Sequence, residues 1–240
     1  MENKNRATGW FGYLVLTASG AGMVVPVESA PESGPWEGEL TSFWESRYVD
    51  SGRDELPEGG LWTLEGQLHH GSFELEAWLG VGDSVDYREL NLSAGYSASV
   101  GEVDWGFAYT RLEFKGEAPD DELELALEGP LVGGFGWSAG SVYSFGAEGS
   151  FVEIGLQYPL DAFWGRLQLT PRVTQGFDFG YRTAVHDGPN HLQVGVDWTW
   201  LLDDVWQLHG HLTHSFAGTD VRREGLGGHS WVGFGLSAGF

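Results

Sequence analysis

The sequence predicts an all-β protein, a transmembrane antiparallel up-and-down β-barrel of about twelve strands, and three observations lead to this fold class. From Gly38 onward, successive segments alternate apolar and polar residues with a period of two, which is the period of a strand and not of a helix. The apolar residues are large and the alternate residues are small or polar, as in a wall between lipid and water. Short and long connections alternate along the chain, as they do between successive hairpins.

The composition excludes several classes of protein. The 240 residues include 38 Gly and 12 Trp but no Cys, so neither a disulfide scaffold nor thiol chemistry is available. The formal net charge of -23 argues against binding nucleic acid, because the chain has only 12 Lys and Arg residues to neutralise phosphates, against 35 Asp and Glu residues. The mean hydropathy of -0.21 is too low for a helical membrane protein. It suits a membrane barrel, in which only alternate residues meet lipid.

The N-terminus has the layout of a secretory signal peptide. Lys4 and Arg6 precede a mostly apolar run from Trp10 to about Val25. A single transmembrane anchor is the alternative, but the run spans only about 16 residues and small or polar residues interrupt it. We predict a signal peptide and short lead-in over residues 1–30, with cleavage between 21 and 30, and a barrel over residues 31–240.

The first six predicted strands each pair a face of large apolar residues with a face of polar or small ones. In the sixth, Leu at every second position would scatter around a helix, so the strand interpretation is favoured. In the fifth, Leu112 and Phe114 have the opposite parity to Trp105 and Phe107, which predicts a β-bulge near Thr110 and Arg111. The predicted ranges are 38–49, 61–69, 72–81, 87–99, 103–115 and 121–129.

The last six predicted strands continue the alternation to the end of the chain. Pro171 interrupts the ninth on its apolar side, an awkward residue for the middle of a sheet. The terminal strand alternates Val232, Phe234 and Leu236 with glycines and serines, and its closing Phe240 resembles the C-terminal assembly signal of bacterial outer-membrane barrels. The predicted ranges are 135–146, 150–159, 164–181, 191–201, 205–216 and 230–240.

An even number of strands places both ends of the barrel on one side, which would be the periplasm. The longer connections, at 50–60, 115–121, 182–190 and 218–229, would then lie outside. Aromatic residues near the strand ends would form girdles at the two membrane interfaces, although a soluble core is an alternative use for them. The predicted outer girdle is Tyr48, Trp62, Tyr109, Tyr181 and Phe216; the predicted periplasmic one is Tyr96, Trp105, Trp137, Tyr158, Trp164, Trp200, Trp206 and Phe240.

The segment from Ser42 to Phe114 is similar to the TorF-type porins, which are small outer-membrane barrels of Gram-negative bacteria. The similarity is carried by Ser46-Arg47-Tyr48-Val49, followed by Gly52 and a loop, and by the run E-L-N-L-S-A-G-Y at 89–96. The resemblance implies a porin-like role and brings no catalytic residues with it. The strongly acidic composition and Pro171 are not accounted for by it.

The polar faces of the strands predict a lumen lined mainly by carboxylates. A passage of this kind has a negative potential and favours cations. The alternative is that acids and arginines pair across the lumen and plug it. The predicted pore-lining residues are Glu45, Arg47, Glu65, Glu74, Glu76, Glu89, Asp104, Glu124, Glu153, Arg166, Arg172, Asp178 and Asp197.

These features predict a porin-like channel in the bacterial outer membrane for passive diffusion of small hydrophilic solutes, with a cation preference. A plugged structural or ligand-binding barrel that acts through its outer loops is the alternative. An enzyme is not expected, because His214 and Ser215 are neighbours in a strand and point to opposite faces. No cofactor or metal is predicted, since His209 and His211 share a face without a third ligand. The expected partners are lipid and lipopolysaccharide, small polar solutes, and the barrel-assembly machinery through the strand that ends at Phe240, with no nucleic acid.

Overall fold

The computed structural model describes residues 35–240, which form a closed antiparallel barrel of twelve strands. This confirms the predicted fold class, while the predicted signal peptide at 1–30 lies outside the described residues. The first six strands are β1 (Glu37–Glu45), β2 (Leu61–His70), β3 (Phe73–Gly82), β4 (Arg88–Val100), β5 (Val103–Phe114) and β6 (Asp120–Pro130). The last six are β7 (Gly136–Ser144), β8 (Gly149–Gln157), β9 (Leu167–Phe179), β10 (Asp187–Leu201), β11 (Trp206–Ala217) and β12 (His229–Gly239).

The barrel closes between its first and last strands. Each strand pairs with the next along the chain, and β1 pairs with β12 from Glu39 opposite Gly239 to Glu45 opposite Gly233. Every one of the twelve strands therefore has two neighbours and the sheet has no open edge. A sheet in lipid requires this, since an unpaired edge would leave backbone groups without hydrogen-bond partners.

The two faces of the wall are the ones that the alternation predicts. In β12, Trp231 and Ser237 are buried inside the barrel, while Val232 and Phe234 are exposed on the outside. The same separation holds in the other strands, with large apolar side chains exposed on the outer surface. Within residues 35–240 no helix is long and apolar enough to cross a membrane.

The bulge predicted in the fifth strand is wrong. β5 pairs with both neighbours in continuous register, and Leu112 is buried inside the barrel two residues after the buried Thr110. The inner face keeps its parity, and the apolar Leu112 simply occupies an inner position beside Asn91. The register shifts instead in β9, between Gly176 and Phe177.

Pro171 occupies a gap in the ladder of β9. Pairing with β8 ends at Arg172, and pairing with a short strand, Leu160–Ala162, begins at Leu169. The Pro171 carbonyl accepts a hydrogen bond from the Tyr158 amide at 3.0 Å. The proline thus lies where one neighbouring strand is interrupted, which is a position that tolerates the missing N–H.

The connections on the side opposite the chain ends carry the larger loops. We number these outer loops in chain order, and three of them matter here: loop 1 (residues 46–60), loop 5 (180–186) and loop 6 (218–228). Loop 6 contains the short helix α1 (Thr219–Arg223). Tyr48 of loop 1 is only 2% exposed and Tyr181 of loop 5 is also turned inward, so neither belongs to the predicted outer girdle. Trp62, Tyr109 and Phe216 do lie exposed on the outer face.

Candidate functional site: the lumen and loop 1

Loop 1 folds inward and reaches the inner wall of the barrel. It forms a small hairpin, with Val49–Asp50 paired to Arg53–Asp54. Its tip, Ser51 and Gly52, has φ values of 47° and 77°. A Cβ on Gly52 would lie 2.7 Å from the Cβ of His191 on β10, so the tip needs glycine for both its conformation and its close approach.

One side of loop 1 is anchored by apolar packing. Tyr48 and Leu56 form a buried cluster with Leu61 of β2 and Trp78 of β3. The Tyr48 hydroxyl donates a hydrogen bond of 2.9 Å to Glu89 Oε2. The loop is therefore packed against the outer part of the β2–β4 wall, and the buried Tyr48 hydroxyl has a hydrogen-bond partner there.

The other side of loop 1 is anchored by two arginines. Arg53 is 5% exposed and donates from Nη2 to Asp220 Oδ2 at 3.0 Å and from Nε to Glu224 Oε2 at 3.1 Å, both in loop 6. Arg182 of loop 5 donates from Nη1 to Asp50 Oδ2 at 3.1 Å and from Nη2 to Glu55. Two-sided anchoring of this kind makes loop 1 a constriction across the outer half of the lumen.

Two acids of loop 1, Asp50 and Glu55, have raised pKa values. Burial raises the pKa of Glu55 to about 7, and the charge of Asp50 adds to this shift, although the guanidinium of Arg182 opposes it. Burial also raises the pKa of Asp50, again against the effect of Arg182. The docked loop therefore holds protons more tightly than an undocked loop in water would.

Eleven of the thirteen predicted pore-lining residues lie on the inner face of the wall. The other two lie outside the twelve strands. Arg47 is in loop 1, with its side chain 46% exposed and paired with Asp54, and Arg166 immediately precedes β9 in a turn. The eleven are Glu45, Glu65, Glu74, Glu76, Glu89, Asp104, Glu124, Glu153, Arg172, Asp178 and Asp197.

Sequence reasoning missed several charged groups of the site. Glu122 and Glu128 share the inner face with Glu124, and the parity of β6 was a sufficient signal for both. Arg53 and Arg182 had no such signal, because a period of two says nothing about side chains in loops. Their roles depend on how three separate loops meet.

The inner wall is strongly acidic. Arg172 is the one Lys or Arg on the inner face of the described strands, since Arg88 and Arg111 point outward. Its Nε donates to Asp197 Oδ2 on the adjacent β10 at 2.7 Å, and its Nη2 donates to Thr213 Oγ1 on β11, one strand further, at 3.2 Å. The opposite wall, formed by β2 to β6, carries many carboxylates on its inner face. The same face of these described strands carries no Lys or Arg.

Glycines of β12 bring side chains of its two neighbours together. Glu45 of β1 and His211 of β11 both pair with Gly233, and Glu45 Oε2 lies 4.0 Å from His211 Nε2. A Cβ on Gly233 would lie 2.5 Å from the Phe43 ring.

Among residues 35–240, no group of three or more His, Asp or Glu side chains is arranged to hold a metal ion. The two residues of the His214–Ser215 pair lie on opposite faces of β11. Ser215 is buried inside the barrel, whereas His214 forms a hydrogen bond with Ser230 on the outer face.

Comparison with solved structures places this geometry among known barrels. The KdgM porin is similar over 84% of this chain and 99% of its own, with a TM-score of 0.60 and 9% identity. The fold is that of the outer-membrane porins. A KdgM porin in complex with disordered oligogalacturonate has a TM-score of 0.57 at 8% identity, over 85% of this chain and 99% of that one. An outer membrane channel from Pseudomonas putida F1 covers 90% of this chain and 97% of its own, with a TM-score of 0.52 and 10% identity.

The sequence comparisons are negative. No protein-family model matches the chain. No curated protein matches it either. At identities near a tenth, the structural similarity establishes the barrel, and the resemblance to the TorF-type porins stays a prediction.

Proposed function

We propose that this chain is an outer-membrane channel for the passive diffusion of small hydrophilic solutes, with a preference for cations. The observation that carries the proposal is the charge of the inner wall, where, among residues 35–240, Arg172 is the one Lys or Arg of the strands against more than ten carboxylates. Fixed charges of one sign, surrounded by a low-dielectric wall, concentrate ions of the opposite sign in the passage. The porin fold supplies the passage.

The acidic wall also supports a view of which solutes would pass. One of them was solved with oligogalacturonate, a chain of acidic sugars. Carboxylates such as Glu74 and Glu76 would repel such a solute, so we expect neutral and cationic solutes to pass more readily here. The exposed apolar belt supports a location in the outer membrane, in contact with lipid and lipopolysaccharide. Recognition by the assembly machinery through Phe240 stays a prediction.

Loop 1 supports a second candidate function. Loop 1 is buried and anchored on both sides, which favours a closed barrel. Such a barrel would act as a binding protein through its outer loops. This candidate and the channel differ in one measurable property, the conductance of the resting state.

The experiment is single-channel recording of the refolded protein in a planar bilayer with a salt gradient. Discrete steps with a cation-selective reversal potential are expected. Glu76→Gln should reduce that selectivity, whereas Glu113→Gln, which removes the same charge from the outer face, should leave it unchanged. An anion-selective channel would refute the cation preference, and a folded but silent barrel would favour the second candidate.

A further inference from the structure

Four carboxylates form a connected group on one side of the lumen. Glu74 and Glu76 follow one another on the inner face of β3, and Glu65 lies on the adjacent β2. Glu124 of β6 joins them through polar side chains, because Thr110 Oγ1 donates to Glu124 Oε1 at 2.5 Å and lies 2.9 Å from Ser93 Oγ. Ser93 pairs directly with Glu76 across β3 and β4. We call Glu65, Glu74, Glu76 and Glu124 the acidic patch.

The centre of the acidic patch lacks a positively charged partner. Glu76 is only 5% exposed, and neither of its carboxylate oxygens makes a hydrogen bond of good geometry with the described residues. The Gln67 side chain, opposite it on β2, is the one neutral donor that interacts with it among them, and this amide already donates to Glu65. The closest charged neighbours of Glu76 are the other three acids of the patch. Arg172, the one Lys or Arg on the inner face of the described strands, lies on β9, six strands away around the twelve-stranded barrel, and pairs with Asp197.

Such an arrangement calls for a positively charged ligand. A buried carboxylate without a counter-charge is costly, and a cation that reaches it removes much of that cost. The patch also has a defined position relative to loop 1. Trp78, the next inward residue of β3 after Glu76, belongs to the apolar cluster under loop 1, so the patch lies directly on the chain-end side of that loop.

The spacing of the acids selects the shape of the ligand. The patch contains no three groups placed to hold one metal ion. Glu74 and Glu76 are two residues apart in a strand, which separates their Cα atoms by roughly 6–7 Å. Ammonium groups separated by three or four methylenes have a comparable spacing, and the Ser93 and Thr110 hydroxyls offer further acceptors. A linear cation with two or more ammonium groups can therefore contact successive carboxylates.

We propose that the acidic patch binds linear polyamines. The inference rests on the proposed function, because it assumes a lumen that solutes can enter. It deepens that function by naming a substrate class, organic cations with several amino groups, and the residues that select it. Glu76 is the central contact, and Glu65, Glu74 and Glu124 bind the outer ammonium groups.

The test is isothermal titration of the refolded wild-type protein in detergent with spermidine as the probe. We expect saturable binding and a loss of affinity of roughly tenfold or more in Glu76→Gln, the effect of one lost charged hydrogen bond. Glu113→Gln, with the same change of charge on the outer face, should bind like the wild type. Methylammonium should bind much more weakly than spermidine. If Glu76→Gln does not fold, Glu74→Gln provides the same comparison.

Several outcomes would overturn the site. These are an absence of spermidine binding, equal binding by the Glu76 and Glu113 variants, or binding of Mg²⁺ as tightly as spermidine. Conductance of the same preparation separates this failure from failure of the channel. A cation-selective channel that spermidine neither binds nor blocks would refute the site alone. A silent barrel that binds spermidine through Glu76 would refute the channel alone.

Discussion

Replacing Arg53 with alanine should release loop 1 from the lumen. The Arg53 guanidinium is buried and bonds Asp220, Glu224 and the backbone carbonyl of Ser51, the last at 2.9 Å. The substitution removes all of these contacts at once. It leaves Asp220 buried, with the Asn190 amide at 2.9 Å still bonded to it.

The size of the effect follows from the burial of this pair. Removing one partner of a buried ion pair costs about 3–5 kcal/mol. The lower end applies here, because Asp220 keeps other hydrogen bonds and the Glu224 side chain is 34% exposed. A loss of about 3 kcal/mol lowers the ratio of docked to undocked loop by roughly 100-fold. The single-channel conductance should then rise, or openings should become more frequent, because loop 1 no longer crosses the outer half of the lumen.

Arg47→Ala is the matched control for this experiment. It removes the same side chain and charge from the same loop, but the Arg47 side chain is 46% exposed, against 6% for Arg53, and its partner Asp54 is 13% exposed. A pair with a half-exposed guanidinium contributes about 1 kcal/mol, less than the buried contacts of Arg53. In single-channel recordings we expect Arg53→Ala to increase the open fraction and Arg47→Ala to resemble the wild type. Indistinguishable records from the two variants would refute the anchoring role of Arg53.

Two further predictions concern pH and packing. Because burial raises the pKa of Glu55 to about 7 in the docked loop, from 4.5 in water, docking takes up a proton. Conductance should therefore fall as the pH is lowered through this range, and Glu55→Gln should flatten the profile; a conductance that rises at low pH would contradict the assignment. Gly233→Val should destabilise the barrel by about 1–3 kcal/mol in urea unfolding, because its Cβ would meet the Phe43 ring. Gly227→Ala, with open space around it, is the control, and equal unfolding midpoints would disprove the packing argument.

The wall was predictable from the sequence because each strand has only two faces. Once one large apolar residue is assigned to the lipid-facing side, the side of all remaining residues in that strand is fixed by alternation. Glu74 and Glu76 are thereby assigned to the inner face. Tyr48 shows where this reasoning stops. Continuing the parity of the first strand placed it in a lipid-facing girdle, but β1 ends at Glu45 and the chain turns inward. Leu112 fails for a related reason, since it is an apolar residue buried on the inner face, where the pattern assigned only polar ones.

The partners of the arginines separate two properties of the channel. Arg53 and Arg182 pair with carboxylates of loops 1 and 6, and neither pairs with the acidic patch on the wall. The position of loop 1 and the charge of the lumen are therefore set by different groups. It follows that Arg53→Ala should change how often the channel is open with little effect on the reversal potential, while Glu76→Gln should do the reverse. The double variant should show both changes added together, because the two sites share no partner. A strong departure from additivity in either quantity would mean that the charge of the wall itself helps to hold loop 1.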